Sequence, residues 1–301
     1  MRDSIILATR ASALALFQAN LVKGLLEQKH PGLKVEILPL KTSGDLILDR
    51  PLREVGGKAL FVKEIEEALL QKKADFAVHS MKDVPALLPQ GLKLGVILER
   101  EDASDVLICR NEGKLENLPP AAKVGSSSLR RKIQLLRLRP DLKVVDLRGN
   151  IDTRLRKLKE GALDAILLAA AGLKRLGLFQ THFQRLDFIA SPGQGAIGLE
   201  YRECDRELQN ILQVLDHPQT HVCVEAERLL MRHFEASCEL PLGAHAFLKG
   251  NGLSLKAFVS NQDGSRYLEA EKEGELVQAL LMAQALVDEL KAQGAEEFFK
   301  V

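Results

Sequence analysis

Short apolar runs alternate with stretches of helical periodicity through the first two thirds of the chain. The runs typical of strands are 4–8, 33–40, 74–79, 92–98, 105–110, 142–147 and 164–170. The stretches with helical periodicity are 12–28, 59–72, 128–138, 151–160 and 171–177. This alternation is typical of an α/β protein whose sheets are largely parallel.

The pattern changes in the last third of the chain. The segment 190–195, which contains one proline and two glycines, is predicted to cross between domains. The elements predicted after it are an amphipathic helix over 220–236, strands over 253–260 and 266–273, and a helix over 275–293. They indicate a smaller α+β domain. Residues 41–58 have poor periodicity and contain three glycines, which favours a long functional loop or lid.

Arginine and serine residues follow the predicted strands repeatedly. Arg10 and Ser12 come after the strand 4–8, and Arg148 comes after the strand 142–147. The other members of this set are Ser128, Arg130, Arg131, Arg154 and Arg175. Helix N-termini, serine hydroxyls and guanidinium groups bind carboxylates or phosphates. The set therefore predicts a ligand with many negative charges, and the alternative is a set of arginines that face solvent.

Arg130 and Arg131 are predicted in the first turn of a helix. The helix dipole disfavours cations there, so we expect that an anion normally neutralises them. Because the two residues are adjacent, their side chains leave the helix about 100° apart. We therefore expect them to grip two different groups.

Asp83 is the first candidate for a catalytic residue. It follows the predicted strand 74–79, and ligands of open α/β sheets bind at the carboxyl ends of strands. A carboxylate there can stabilise a cation or transfer protons; the alternative is an aspartate that only shapes the turn before Pro85. Lys82 is either its counter-ion or a ligand contact. We expect His79 to be a packed residue at the strand end rather than an acid or a base.

The four cysteines are Cys109, Cys204, Cys223 and Cys238. None belongs to a C-x-x-C pair, so the spacing indicates neither a zinc site nor a redox motif, and we expect no metal. Cys109 and Cys223 fall on predicted apolar elements. Cys238 lies between a predicted helix and a Pro-Gly turn, so we expect it on a loop, either as an inert thiol or in a special role.

Lysine and arginine total 42 and aspartate and glutamate total 41, so the positive charge is local. An aromatic content of 4% and the lack of tryptophan leave few aromatic side chains on which nucleic-acid bases could stack. Both facts argue against a nucleic-acid partner. No signal peptide is evident, and no apolar run approaches the roughly 18 residues that span a membrane. We expect a soluble cytoplasmic protein.

Several motifs together resemble the porphobilinogen deaminase (hydroxymethylbilane synthase) family over essentially the whole chain. They are Ala8-Thr9-Arg10, Val55-Gly56-Gly57-Lys58, His79-Ser80-Met81-Lys82-Asp83-Val84-Pro85, Ser127-Ser128-Leu129-Arg130-Arg131, Leu147-Arg148-Gly149-Asn150, Ala171-Gly172-Leu173-Lys174-Arg175-Leu176-Gly177 and Gly193-Gln194-Gly195-Ala196. The stretches around Asp83 and around Arg130 are the most specific in combination.

The resemblance implies a fold and an activity. The fold is α/β, with two periplasmic-binding-protein-like (type II) α/β domains, the active site in the cleft between them, and a smaller α+β C-terminal domain. The implied boundaries are 1–98 with 190–214, then 99–189, then 215–301. The implied enzyme is a monomeric transferase. It deaminates and condenses four porphobilinogen molecules head to tail on a covalent dipyrromethane cofactor, and it releases linear hydroxymethylbilane and ammonia.

The resemblance also assigns residues. Asp83 is implied as the catalytic residue, and Cys238 as the residue that carries the cofactor through a thioether. The implied cofactor-binding residues are Lys82, Ser128, Arg130, Arg131 and Arg148. The implied substrate-binding residues are Arg10, Ser12, Lys58, Arg154, Arg175 and Gln194.

Two other functions remain as alternatives at this point. A non-catalytic anion sensor or binding module of the periplasmic-binding-protein type would explain the α/β domains and the arginines, but it gives no role to Cys238 or to the third domain. A phosphate-binding transferase would be expected to contain G-x-x-x-x-G-K-[ST], which the sequence lacks.

Overall fold

The structure is a computed structural model that describes residues 2–46, 60–234 and 241–299. The chain forms two compact units. The first consists of Met1–Glu101 and Ala196–Glu225, and the second of Asp102–Gly195 and Ala226–Val301. The expected third domain, 215–301, thus begins in the first unit and continues in the second, and the three-domain boundaries stay a prediction.

Most strands and helices of the described residues follow the predicted alternation, but the strands Gln184–Leu186 and Ile197–Arg202 were not predicted. The strands are β1 (Ser4–Arg10), β2 (Lys34–Leu40), β3 (Phe76–Ser80), β4 (Leu92–Ile97), β5 (Asp105–Cys109), β6 (Lys123–Gly125), β7 (Lys143–Val145), β8 (Ala165–Ala169), β9 (Gln184–Leu186), β10 (Ile197–Arg202), β11 (Leu242–Lys249), β12 (Gly252–Ser260) and β13 (Tyr267–Gly274). The α-helices are α1 (Ala13–Lys29), α2 (Ser43–Leu46), α3 (Lys63–Leu70), α4 (Leu129–Leu138), α5 (Ile151–Lys159), α6 (Ala170–Arg175), α7 (Arg206–Leu212), α8 (Pro218–Phe234) and α9 (Ala279–Ala292).

The first unit contains a five-stranded sheet with the order β2-β1-β3-β10-β4. Strand β1 is parallel to β2 and β3, whereas β10 is antiparallel to β3 and β4. Leu7, Phe76 and Leu199 of this sheet are buried against Val22 and Leu26 of α1. Because β1 and β3 are parallel neighbours, their carboxyl ends lie side by side at one edge of the sheet.

The second unit contains a five-stranded sheet with the order β7-β6-β8-β5-β9. Strand β6 is parallel to β7 and β8, and β5 is antiparallel to β8 and β9. In both five-stranded sheets, four strands thus share one direction, as expected for largely parallel sheets, and one strand, β10 or β5, runs against its neighbours. A fully buried strand has the same apolar run in either direction, so the sequence pattern could not reveal that β5 and β10 run against their neighbours.

The C-terminal part of the second unit is an antiparallel sheet with the order β11-β12-β13, against which α9 packs. Strands β12 and β13 were predicted, but β11 was missed. Its sequence contains Gly243, Ala244 and Ala246, residue types that are depleted in strands. The predicted fold class, two α/β domains followed by a smaller α+β part, is confirmed.

The expected loop or lid, 41–58, lies largely outside the described residues, and Lys58 is one of the residues left out. In the ranges that the structure does describe, no helix is both long enough and apolar enough to cross a membrane.

Candidate functional site

Asp83 stands just beyond the carboxyl end of β3, in a 3-10 turn formed by Met81–Asp83. The turn is anchored because Met81 and Val84 are buried in a cluster with Ile97 and Ala196. The Asp83 side chain lies between these anchors and remains 37% exposed. The sequence thus presents a carboxylate at a fixed point where a ligand can reach it.

Arg10 is the last residue of β1, the parallel neighbour of β3. Its Nη1 lies 3.9 Å from Oδ2 of Asp83, and its guanidinium carbon lies 4.3 Å from the centre of the Phe61 ring. The first distance is longer than a hydrogen bond, so the ion pair is loose. The second is a cation–π contact that holds the arginine in place.

Ser12 caps the N-terminus of α1, and its Oγ accepts a hydrogen bond from Ala15 N at 3.4 Å. Arg10, Ser12, Ser80 and Asp83 line one pocket of the first unit. The structure therefore brings together three of the predicted site residues, a carboxylate, a guanidinium and a helix N-cap. Lys82 lies in the same turn as Asp83 and is partly exposed.

In the second unit, Arg130 and Arg131 lie in the first turn of α4, as predicted, and both are buried. Nη1 of Arg130 is 2.7 Å from Oδ2 of Asp105, and Nε of Arg131 donates to Oδ1 of the same carboxylate at 2.8 Å. The two arginines thus share this carboxylate, and their grip on two different groups of a ligand stays a prediction. Long side chains can bend, so two residues that leave a helix in different directions converge on one carboxylate.

Asp105 opens the buried strand β5 and is completely buried. Burial opposes its ionisation, yet the charges of Arg130 and Arg131 hold the pKa of the carboxyl well below its usual range. Gln194 adds a hydrogen bond from Nε2 to Oδ1 at 3.0 Å. Sequence analysis missed Asp105; the available signal was a charged residue at the start of an otherwise apolar strand.

The cluster of Arg130, Arg131 and Asp105 carries one surplus positive charge. In the described part of the chain, no second carboxylate pairs with either guanidinium. Both arginines also donate to carbonyl oxygens, Arg130 to Ile189 at 2.8 Å and Arg131 to Leu167 at 3.1 Å. A buried surplus charge is costly unless an anion compensates it, so this cluster is suited to a carboxylate ligand.

Ser128 is the N-cap of α4, and its Oγ accepts from Arg131 N at 3.4 Å. Arg148 lies in the turn between β7 and α5, and Arg154 lies in the first turns of α5, where its Nε donates to Gly149 O at 2.7 Å. Gly149 has a φ of +108°, and a Cβ there would meet Thr153 at 2.8 Å. A glycine is therefore required for the turn that presents these two arginines.

Gln194 and Arg175 meet at the crossover segment. Nη2 of Arg175 donates to Gly195 O at 2.7 Å, and Nε2 of Gln194 donates to Ala103 O at 2.7 Å. Because Gln194 also contacts Asp105, the crossover joins Arg175 to the buried arginine cluster.

Glu227 of α8 is a completely buried carboxylate that sequence analysis did not single out. It accepts a hydrogen bond from Gly193 N at 2.6 Å and another from Ala246 N at 2.8 Å. The carboxylate thus joins α8, the crossover segment and β11. The sequence indicated this buried carboxylate only by placing a glutamate on the apolar face of the predicted helix.

Cys238 lies outside the described residues, a few positions after α8 ends at Phe234. Of the other cysteines, Cys109 and Cys223 are buried and Cys204 is exposed. Burial raises the pKa of the Cys109 thiol to about 11, which makes it a poor nucleophile.

Comparison with known proteins identifies similar sequences over the whole chain. The family model "Porphobilinogen deaminase, dipyromethane cofactor binding domain" matches residues 5–210, and "Porphobilinogen deaminase, C-terminal domain" matches residues 221–292. The porphobilinogen deaminase of Syntrophobacter fumaroxidans is 48% identical and covers 100% of this chain and 98% of its own. That of Geobacter sulfurreducens is 48% identical over 97% and 92%. Among solved structures, the periplasmic VFT2 domain of Bordetella pertussis BvgS is 17% identical, covers 76% of this chain and 92% of its own, and has a TM-score of 0.43.

Proposed function

Because the chain belongs to the porphobilinogen deaminase family, we propose that it is the transferase that condenses four porphobilinogen molecules head to tail, with loss of ammonia, into hydroxymethylbilane. The family resemblance expected from the motifs is confirmed. The comparisons support this activity and not the alternative of a non-catalytic anion sensor.

The matched domain is the cofactor-binding domain of this family, so the cofactor is dipyrromethane. The second unit fits a group that carries carboxylates, because the Arg130–Arg131–Asp105 cluster has a surplus positive charge. In this proposal Ser128, Arg130, Arg131 and Arg148 hold those carboxylates, with Lys82 as a further contact. When bound, the cofactor supplies the pyrrole to which the substrate is added.

The observation that carries the catalytic assignment is the loose pair of Arg10 and Asp83 at the ends of two parallel strands. A substrate that loses ammonia becomes positively charged, and Asp83 is fixed and exposed enough to stabilise that charge. Arg10 and the N-cap at Ser12 are suited to a carboxylate of the incoming substrate. Arg154, Arg175, Gln194 and Lys58 complete the proposed substrate contacts.

We assign the attachment of the cofactor to Cys238. The intact wild-type protein should weigh more than its sequence by about two pyrrole units, and reducing agents should not remove the added mass, because a thioether is not a disulfide. Cys238→Ser should lack this mass and be inactive. Cys204→Ser, which replaces an exposed cysteine, is the matched control and should keep both the mass and the activity.

The activity is tested by incubating the purified protein with porphobilinogen and following ammonia and hydroxymethylbilane. An aldehyde reagent for pyrroles should also colour the protein before substrate is added. A wild-type protein that has the mass of the bare chain, gives no colour and forms no product would refute the proposed function.

A cytoplasmic monomer remains part of the proposal, supported by the family resemblance. Light scattering after size-exclusion chromatography tests the oligomeric state, and fractionation of cells tests the location.

A further inference from the structure

His79 and Glu200 form a buried pair behind the Asp83 pocket. In the antiparallel register His79 lies opposite Gly198, and Glu200 lies opposite Ala77, so the two side chains are diagonal neighbours on one face of the sheet. Nε2 of His79 is 2.8 Å from Oε2 of Glu200. The sequence-based expectation that His79 is packed agrees with its burial, but its partner is a carboxylate that the sequence analysis did not consider.

A second carboxylate approaches this pair from α3, which packs on β1, β3 and β10. Oε1 of Glu66 and Oε1 of Glu200 are both buried, and neither has a hydrogen-bond partner among the described residues. Burial, together with the charge of Glu200, raises the pKa of Glu66 to about 7. Glu66 therefore gains or loses its proton near neutral pH beside the His79–Glu200 pair, and we call these three residues the buried triad.

Other charged groups near the triad are engaged elsewhere. On α3, Glu64 accepts hydrogen bonds from the backbone N–H and the hydroxyl of Ser43. On β10, Arg202 donates to the carbonyl oxygens of Leu69 and Ala74.

The remaining charges of the surrounding elements also lie away from the triad. On β1, the guanidinium of Arg10 lies against Phe61 and Asp83. Lys63 and Glu67 of α3 are exposed. Among the described residues, no guanidinium or ammonium forms an ion pair with Glu200 or Glu66 of the kind that holds Asp105.

His79 also lines the pocket that contains Asp83 and Arg10. An ionised carboxylate can only accept a hydrogen bond, so pairing with ionised Glu200 requires the proton of a neutral His79 imidazole on Nε2 and leaves Nδ1 as a base. No described residue hydrogen-bonds to Nδ1. A histidine oriented by a carboxylate through one nitrogen, with the other nitrogen available, is the arrangement that general-base catalysis uses.

We propose that His79 is a proton-transfer residue of the Asp83 pocket, that Glu200 positions it, and that Glu66 is the neighbouring acid that limits the negative charge of the triad. This inference rests on the proposed function. Each condensation breaks the C–N bond of the substrate's protonated aminomethyl group, which leaves as ammonia, forms a carbon–carbon bond and breaks a C–H bond of a pyrrole ring. Nδ1 of His79 accepts that proton, and the imidazolium, paired with Glu200, passes it to the departing ammonia, which leaves as ammonium.

The first test is kinetic. His79→Gln should lower kcat about a hundredfold, within the range for general acid–base groups, and leave KM within about twofold. The acidic limb of the kcat–pH profile should disappear. His182→Gln, which replaces an exposed histidine, is the matched control and should keep the wild-type profile. A kcat within about threefold of wild type, with the acidic limb intact, would refute the inference.

The second test does not depend on turnover. Nitrogen-15 NMR of the cofactor-loaded wild-type protein should show one buried histidine that is protonated at Nε2 and not at Nδ1 above neutral pH. Glu200→Gln should abolish this preference, and Glu269→Gln, on an exposed strand position, should not. If His79 is protonated at Nδ1 in the wild type, Glu200 does not orient it and the inference fails.

Glu66→Gln provides a variant in a partly exposed position in case the two buried substitutions prevent folding. This variant should retain at least a tenth of the wild-type kcat. Interacting groups titrate in coupled steps, so removing the Glu66 carboxyl should simplify the acidic limb of the kcat–pH profile to a single step. An unchanged limb contradicts the inference. A wild-type protein that forms no hydroxymethylbilane would instead refute the proposed function, while the NMR experiment would still decide whether Glu200 orients His79.

Discussion

Asp83 and Asp105 are both aspartates in contact with arginine, one in each unit, yet their surroundings differ completely. Asp83 is 37% exposed and has Arg10 at 3.9 Å. Asp105 is completely buried and has Arg130 at 2.7 Å and Arg131 at 2.8 Å. The same residue types therefore make an accessible site in the first unit and a closed cluster in the second.

The position of each aspartate relative to its strand explains this difference. Asp83 lies in a turn after β3, where the chain has left the sheet. Asp105 is the first residue of β5, which lies between β8 and β9 within its sheet. A carboxylate inside a sheet has lost its water and needs cations at hydrogen-bond distance, whereas a carboxylate in a turn keeps the water that a substrate can later displace.

The largest expected effect is that of Asp105→Asn on stability. The change leaves two buried guanidinium groups without a carboxylate, and breaking a buried pair in this way costs about 3–5 kcal/mol. Urea unfolding measures the loss. Asp141→Asn, which removes an exposed partner of Arg139 at 2.7 Å, is the control and should have a much smaller effect. Equal losses in the two variants would remove the contrast between buried and exposed pairs.

Asp83→Asn should lower activity and leave stability nearly unchanged, in contrast to Asp105→Asn, whose main effect is on stability. The variant should fold and carry its cofactor, with urea unfolding close to wild type, because Asp83 has only a loose ion pair. Its kcat should fall by about a hundredfold to a thousandfold, since removing one electrostatic stabiliser of a transition state costs about 3–4 kcal/mol. Near-normal product formation would show that exposure and position do not make Asp83 catalytic. Asp141→Asn again serves as control.

Arg131→Leu and Arg10→Leu should separate cofactor binding from substrate binding. Arg131→Leu cancels the surplus charge of the buried cluster, so the protein should accumulate without its cofactor, as intact mass would show. Arg10→Leu leaves that cluster intact, so the protein should carry the cofactor and stall during addition of substrate. If both variants are fully loaded and stop at the same stage, the two arginines do not have separate roles.

Glu66 extends the comparison to a carboxylate that forms no ion pair with an arginine of the described residues. Burial and Glu200 raise its pKa from 4.5 to about 7, so the folded protein binds more protons than the unfolded chain between these pH values. The stability from this group is complete below pH 4.5 and is lost as pH rises to about 7. Urea unfolding of wild type should show this decline relative to Glu66→Gln, and curves that stay parallel would contradict it.

The strand-end site was predictable from the sequence because its geometry is local. The run before Arg10 and the run before Asp83 both indicated strands, and parallel neighbours present their carboxyl ends at the same edge. Ser12 and Ser128 were predictable as N-caps for a similar reason, since a capping side chain bonds to a backbone N–H only three residues away.

The contacts that the sequence did not reveal join residues far apart in the chain. Asp105 meets Arg131 across 26 positions, and His79 meets Glu200 across 121. Periodicity reports which face of an element is apolar, but not which polar group on another element will lie against it. Periodicity also failed to reveal β11, because its small residues indicate a strand only weakly and its pairing with β12 is not visible in the sequence pattern.

The sequence by itself determined the alternation of strands and helices, the caps, and the motifs at strand ends that carry the family resemblance. These depend on neighbouring residues, whose backbone geometry is set over one or two turns. Only the tertiary structure decided that Arg130 and Arg131 share Asp105, that Glu227 joins α8 to β11, and that His79 faces Glu200. Burial makes each of these polar groups require a partner, and the fold alone brings that partner within hydrogen-bond distance.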